Sequence, residues 1–152
     1  MHVFISIILT GLPDYLINRL QRVQNSAARL VIGAAWSDDA DTILCTLHWL
    51  PIKHRIDFKI LVYVFKCLTK CATSYLCELL REYVPTRALR PRGHNILVIP
   101  RYKHKYGKQT FTYAAPKLWN DLPEDKQATD SLLDFRRKLK THLFRTAFGH
   151  LL

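Results

Sequence analysis

Five glycines and seven prolines in 152 residues are too few for a flexible or low-complexity linker. Hydrophobic residues make up 49% of the chain, enough for apolar burial to offset the entropy lost on ordering, and this excludes global disorder. Cysteine is equally sparse. Cys45, Cys67, Cys71 and Cys77 sit inside or beside apolar helical patterns without the density of a disulfide scaffold, so they read as free thiols in a reducing compartment. The apolar start, Val3-Phe4-Ile5-Ser6-Ile7-Ile8-Leu9, lacks a basic n-region and a small-residue cleavage site and is too short to span a bilayer. Residues 1–10 therefore read as an atypical apolar start, not a cleaved signal, and neither secretion nor a membrane partner is expected. A Gly-rich phosphate loop, a Ser/His/Asp arrangement and an internal repeat are also missing.

What is present is one domain's worth of chain with a strong positive charge. The formal charge is +11, and it is unevenly spread: residues 1–80 hold 8 Lys and Arg against 6 Asp and Glu, residues 81–152 hold 15 against 6. A field of that sign favours a polyanionic partner over a small neutral one.

Apolar positions Leu16, Leu20, Val23, Ala27, Leu30 and Val31 recur at three- and four-residue spacing, predicting an amphipathic helix from Pro13 to about Ala35, with Gly33 weakening its last turn. Ser37 and Asp38 offer N-cap chemistry for a short helix through Ile43, Leu44 and Leu47. Pro51 stops that helix and opens the next, which runs to about Thr69 behind a broad stripe that includes Ile52, Ile56, Ile60, Val64 and Cys67. Ser74 is a candidate cap for a helix from Tyr75 to Tyr83. From 85 to 109 prolines and glycines break any period, leaving Ile96-Leu97-Val98-Ile99 as a strand candidate in a long basic loop or short hairpin. Helical spacing resumes from Thr110 to Leu122 with Pro116 near the start or at a kink. It resumes again from a capping box at Ser131–Asp134 through Phe135, Leu139 and Leu143 to Phe148. The expected fold is mainly α: a single domain of about five or six helices, with an amphipathic half at 11–84, a basic loop or hairpin at 85–109 and C-terminal helices at 110–148.

Catalytic candidates are weak on their own chemistry. Asp38-Asp39, with Asp41 nearby, has the paired carboxylates that two-metal nucleotidyl transfer or a nuclease needs, but the pair falls between two helices, where capping is the expected role. Cys45-x-x-His48 and Cys67-x-x-x-Cys71, with Cys77 spare, would have to converge to bind zinc, and cysteines on core-facing helix positions more often pack as thiols. His48 and His54 suit capping or core-edge places, and Trp49, Phe58, Phe65, Trp119, Phe135 and Phe144 match helical periods as core residues. No enzyme activity, metal or cofactor is expected.

The binding candidate is the basic loop. Arg87, Arg90, Arg92, Arg101, Lys103, Lys105 and Lys108 occur with no Asp or Glu between 87 and 108, interleaved with His94, Tyr102, His104 and Tyr106. Clustered cations hold phosphates by Coulomb attraction and counterion release, and interleaved Tyr102 and Tyr106 can stack on unpaired bases. Non-specific phosphate contact with RNA or DNA is the expected use, and Arg136, Arg137, Lys138 and Lys140 of the last helix can extend the patch or form its solvent face.

Five stretches carry a family likeness. They are Leu20-Gln21-Arg22-Val23-Gln24-Asn25-Ser26-Ala27-Ala28-Arg29-Leu30-Val31; Leu47-His48-Trp49-Leu50-Pro51-Ile52 with Arg55-Ile56-Asp57-Phe58-Lys59-Ile60-Leu61; Ser74-Tyr75-Leu76; Ala114-Ala115-Pro116-Lys117-Leu118-Trp119-Asn120-Asp121-Leu122-Pro123; and Phe135-Arg136-Arg137-Lys138-Leu139-Lys140-Thr141-His142-Leu143-Phe144. In this order and spacing they resemble the region downstream of the reverse transcriptase domain in LINE-type non-LTR retrotransposon polyproteins of the jockey-like and chicken-repeat-like kind. The resemblance implies a non-catalytic, nucleic-acid-binding tail of a protein whose endonuclease and polymerase lie elsewhere. The alternative it leaves is a structural scaffold that packs on a polymerase domain supplied in trans.

Overall fold

Glycine and proline set the helix ends. In the computed structural model, which describes residues 11–84 and 96–151 and only the backbone of Lys105 and Tyr106, helix α1 (Asp14–Ile32) stops at Gly33. Gly33 takes the left-handed conformation at φ 67° that a side chain would resist. Short α2 (Ala40–Thr46) follows, then α3 (Ile52–Leu68) directly after Pro51, and short α4 (Ser74–Glu78). The remaining elements are a 3-10 turn (Lys105–Gln109), α5 (Phe111–Asn120), the four-residue α6 (Glu124–Gln127) and α7 (Leu132–Phe148). The protein is mainly α, and α6 and the 3-10 turn are additions to the expected set.

Several local expectations change. Asp39, not Ser37 or Asp38, caps α2, accepting the Thr42 amide at 2.9 Å, while the Asp38 carboxylate accepts the Ala35 amide at 2.8 Å. Thr73 takes the cap position of α4, which ends at Glu78 rather than reaching Tyr83. Ser131 precedes α7 without a side-chain cap bond, so the capping box is not formed. The strand candidate makes a single antiparallel bridge, Leu97 to Glu82, and no ladder among the described residues. Pro116 lies inside α5, buried. It sits just past the first turn, and its missing N–H forfeits one helical bond, to the Thr112 carbonyl, so its cost is confined.

Two apolar clusters hold the helices together. The larger joins Ile56, Ile60, Leu61, Val64 and Phe65 of α3 to Phe111, Ala115 and Trp119 of α5 and to Phe135, Leu139 and Leu143 of α7, with Leu97 buried among them. Phe65 stacks on Phe135 at 4.4 Å between ring centroids, and Trp119 meets the same ring at 5.8 Å. The smaller joins Ala28 of α1 to Ile43 and Leu44 of α2 and to Phe148 at the end of α7. Phe144 packs against both.

Helix α1 is amphipathic, but its apolar stripe does not enter either cluster. Val23 is 66% exposed and Leu30 84%, whereas Gln24 is only 8% exposed and Ala28 is buried. The buried seam runs one residue out of step with the apolar one, which on an α-helix is a rotation of about 100°. Hydrogen bonding explains the choice: Gln24 Nε2 donates to the Leu50 carbonyl at 2.9 Å, and Gln21 Oε1 accepts the Ile52 amide at 2.8 Å. The turn between α2 and α3 exposes backbone groups that need partners, including a first-turn amide of α3 with no intrahelical acceptor. Glutamines supply them and leucines cannot.

Candidate nucleic-acid interface

The basic region begins where the chain is clamped. Tyr83 N donates to the Ile96 carbonyl and Val98 N to the Arg81 carbonyl, each at 2.8 Å. Asn120, at the end of α5, then grips Leu97 from both sides: its Oδ1 accepts the Leu97 amide at 3.0 Å and its Nδ2 donates to the Leu97 carbonyl at 2.8 Å. Arg87, Arg90 and Arg92 fall between these held ends and lie outside the described residues.

Beyond the clamp, Arg101 and Lys103 are exposed, and Lys108 is exposed on the 3-10 turn; the side chains of Lys105 and Tyr106 lie outside the described set. Tyr102 is fixed by its surroundings. Its hydroxyl meets Thr112 Oγ1 at 3.0 Å, Thr112 meets Thr110 at 2.9 Å, and Thr110 donates to the Gly107 carbonyl at 2.7 Å. A Cβ on Gly107 would fall 2.4 Å from the Tyr102 ring, so only glycine lets the turn close over it. With Tyr113 also near the ring at 6.4 Å, Tyr102 acts as a loop anchor and remains 38% exposed.

The second cationic stretch is α7, where Arg136, Arg137, Lys138, Lys140 and Arg145 are all exposed while Phe135, Leu139 and Leu143 face the core. The 3-10 turn packs on α5, and α7 packs on α3 and α6 and meets α5 through Phe135 and Trp119. Among the described residues the one ion pair is Lys126–Asp125. That bond holds the Asp125 carboxyl below its ordinary range.

Of the carboxylates weighed for catalysis, Asp38 and Asp39 are engaged with neighbouring backbone amides, and Asp41 is exposed. Hydrogen bonds from the Thr42 hydroxyl and amide hold Asp39 below the usual carboxylate range. Among the described residues no three His, Cys, Asp or Glu side chains converge as a metal site. His48 stacks on Phe144 at 5.5 Å, a core-edge place. No helix among the described residues is long and apolar enough to cross a membrane.

Two of the perturbed groups on α3, Asp57 and His54, give little sign of themselves in the sequence. Asp57 precedes the buried Ile60, Leu61 and Val64 by three, four and seven residues, so it sits within the apolar face, and burial pushes its carboxyl up to about 6. One turn earlier, burial and then Lys53 pull His54 below its usual value, and its buried Nδ1 has no hydrogen-bond partner among the described residues. An acid at an apolar position of the helical period is the available signal for Asp57. Asn120 gives no signal at all, because its partner lies 23 residues away. Comparison with family models, curated proteins and solved structures finds no match to this chain.

Proposed function

We propose that this chain is a non-catalytic nucleic-acid-binding module derived from the tail of a LINE-type retrotransposon polyprotein, holding RNA or DNA through its phosphates. The observation that carries the reading is uncompensated charge: no Asp or Glu occurs from 83 to 120, and the cations described there, Arg81 at its edge, Arg101, Lys103, Lys108 and Lys117, have no ion-pair partner among the described residues. Cations already neutralised by protein carboxylates have little counterion release to offer; these retain it. The engagement of Tyr102 with Thr112 and Gly107 favours phosphate contact over extensive base stacking, hence binding without sequence preference. Arg136, Arg137 and Lys140 on α7 are a second cationic surface of the same kind.

The test is binding of a fluorescent single-stranded RNA across a salt series, for the wild type and for a variant with Arg101, Lys103, Lys105 and Lys108 changed to Ala. The expected result is steeply salt-dependent binding whose log-log slope flattens by about 0.7 for each phosphate that the variant no longer neutralises. A folded wild type that does not bind at low salt would refute the reading.

A second reading, a scaffold that packs on a polymerase domain supplied in trans, is favoured by one observation. Leu16, Leu20, Val23, Ala27 and Leu30 follow a four-three-four-three spacing along α1, and of these Leu20, Val23, Ala27 and Leu30 are exposed. Such a seam matches the repeat by which helices pack side by side.

A further inference from the structure

Three of the four cysteines cluster where α3 turns into α4, and two of them meet. Cys67 is buried on the last turn of α3, and Cys77 is half-buried on α4. The Cys77 thiol lies 3.9 Å from the Cys67 carbonyl and 4.0 Å from the Ala72 carbonyl, so it sits beside the Cys67 backbone. The turn that brings them together is tightly held: Lys70 adopts the left-handed conformation at φ 55°, Cys71 N donates to the Lys66 carbonyl at 2.8 Å, and Thr69 Oγ1 donates to the Phe65 carbonyl at 2.9 Å. Cys67 and Cys77 both line one cleft of about 390 Å³, with Lys70, Ala72, Leu80 and Leu97 among its walls. Cys71, although exposed, is not in that lining, and its sulfur is directed to the Thr69 carbonyl at 3.4 Å.

We infer that Cys67 and Cys77 form a redox-active dithiol that low-molecular-weight disulfides, entering by this cleft, oxidise to an intramolecular disulfide joining α3 to α4. The inference stands independently of the nucleic-acid reading. The Cys77 thiolate attacks one sulfur of RSSR, forming a mixed disulfide and releasing RS⁻. The Cys67 thiolate then attacks the Cys77 sulfur and releases the second RS⁻. Two electrons pass from the protein to RSSR, and the two thiol protons leave with two RSH. The order follows from access, since Cys77 is half-buried and Cys67 buried. It also follows from acidity, since burial and the neighbouring thiol push Cys67 up to about 12, which makes it the slower nucleophile and lets the Cys77 adduct accumulate before ring closure. The bond would tether the end of α3 to the segment that continues to Glu82 and its bridge with Leu97.

The experiment treats the full folded chain with oxidised glutathione, quenches in acid, blocks free thiols with N-ethylmaleimide in denaturant and maps the peptides by mass spectrometry. The expected course is a glutathione adduct at Cys77, then a Cys67–Cys77 cross-linked peptide, while exposed Cys71 goes no further than a mixed disulfide and Cys45 is alkylated. Cys77→Ser should abolish the cross-link. Cys71→Ser, at an exposed position that leaves folding intact, should form it at the wild-type rate. Modification confined to Cys71, a Cys71–Cys77 link in place of Cys67–Cys77, or four alkylated cysteines after equilibration would each overturn the inference.

Discussion

Replacing Asp57 by Asn removes a carboxylate that the fold holds partly out of water with no donor among the described residues to satisfy it. Each tenfold change in proton affinity is worth about 1.4 kcal/mol. A carboxyl moved from 3.8 to about 6 therefore costs the ionised folded state at most ~3 kcal/mol. Residual hydration of a half-buried side chain reduces that to about 1–3 kcal/mol. The sign follows from which state keeps the proton. Below 3.8 Asp57 is protonated in both the folded and the unfolded chain and carries no penalty; between 3.8 and about 6 only the folded chain keeps the proton; above that both are ionised and the whole penalty stands. Stability from this group is thus present at low pH and lost as pH rises through about 6. Asp57→Asn should match the wild type near pH 4 and exceed it by about 1–3 kcal/mol at pH 7, measured by urea unfolding at half-unit pH steps. His54 runs the opposite way, because burial lowers its value and its contribution is lost as pH falls, but it is common to both proteins and drops out of their difference. A difference that does not change with pH, or a variant less stable than the wild type at pH 7, would show that the carboxylate has an ionic partner and that burial is not what chiefly sets its proton affinity.

Two further substitutions test the placement of the helices. Gln24→Ala strips a buried amide from the Leu50 carbonyl and should destabilise by about 1–3 kcal/mol, whereas Val23→Ala on the exposed stripe should change stability by less than about 0.5 kcal/mol in the same urea assay. The reverse ranking would place the apolar stripe of α1 in the core. Asn120→Ala should cost about 1–3 kcal/mol and speed hydrogen exchange at the Leu97 and Tyr83 amides together, since both depend on one clamp. Unchanged protection at those two amides would count against it.

Helical period, proline and glycine are local properties, and they are enough to place the longer helices and most of their ends. The start of α3 after Pro51 and the buried Phe65, Trp119 and Phe135 all follow from residues within a turn or two of each other, whereas α1 stops at Gly33, short of the expected Ala35. The acid-free basic stretch is equally legible, because charge composition does not depend on folding. Caps are harder to read: Asp39 and Thr73 take positions that their neighbours could equally fill, since adjacent polar residues compete for one amide and a shift of one residue decides between them.

Only the tertiary structure decided which side of α1 faces inward. Hydrophobicity favours the stripe of Leu20, Val23 and Leu30, but the neighbouring turn offers a buried carbonyl at Leu50 and an amide at Ile52 with no helical acceptor, and only Gln24 and Gln21 can satisfy them. The same holds for Asn120 on Leu97, Cys77 beside Cys67 and Asp57 among the isoleucines of α3. Each depends on a group made scarce or costly by burial, and burial is a property of the assembled chain rather than of any segment of it.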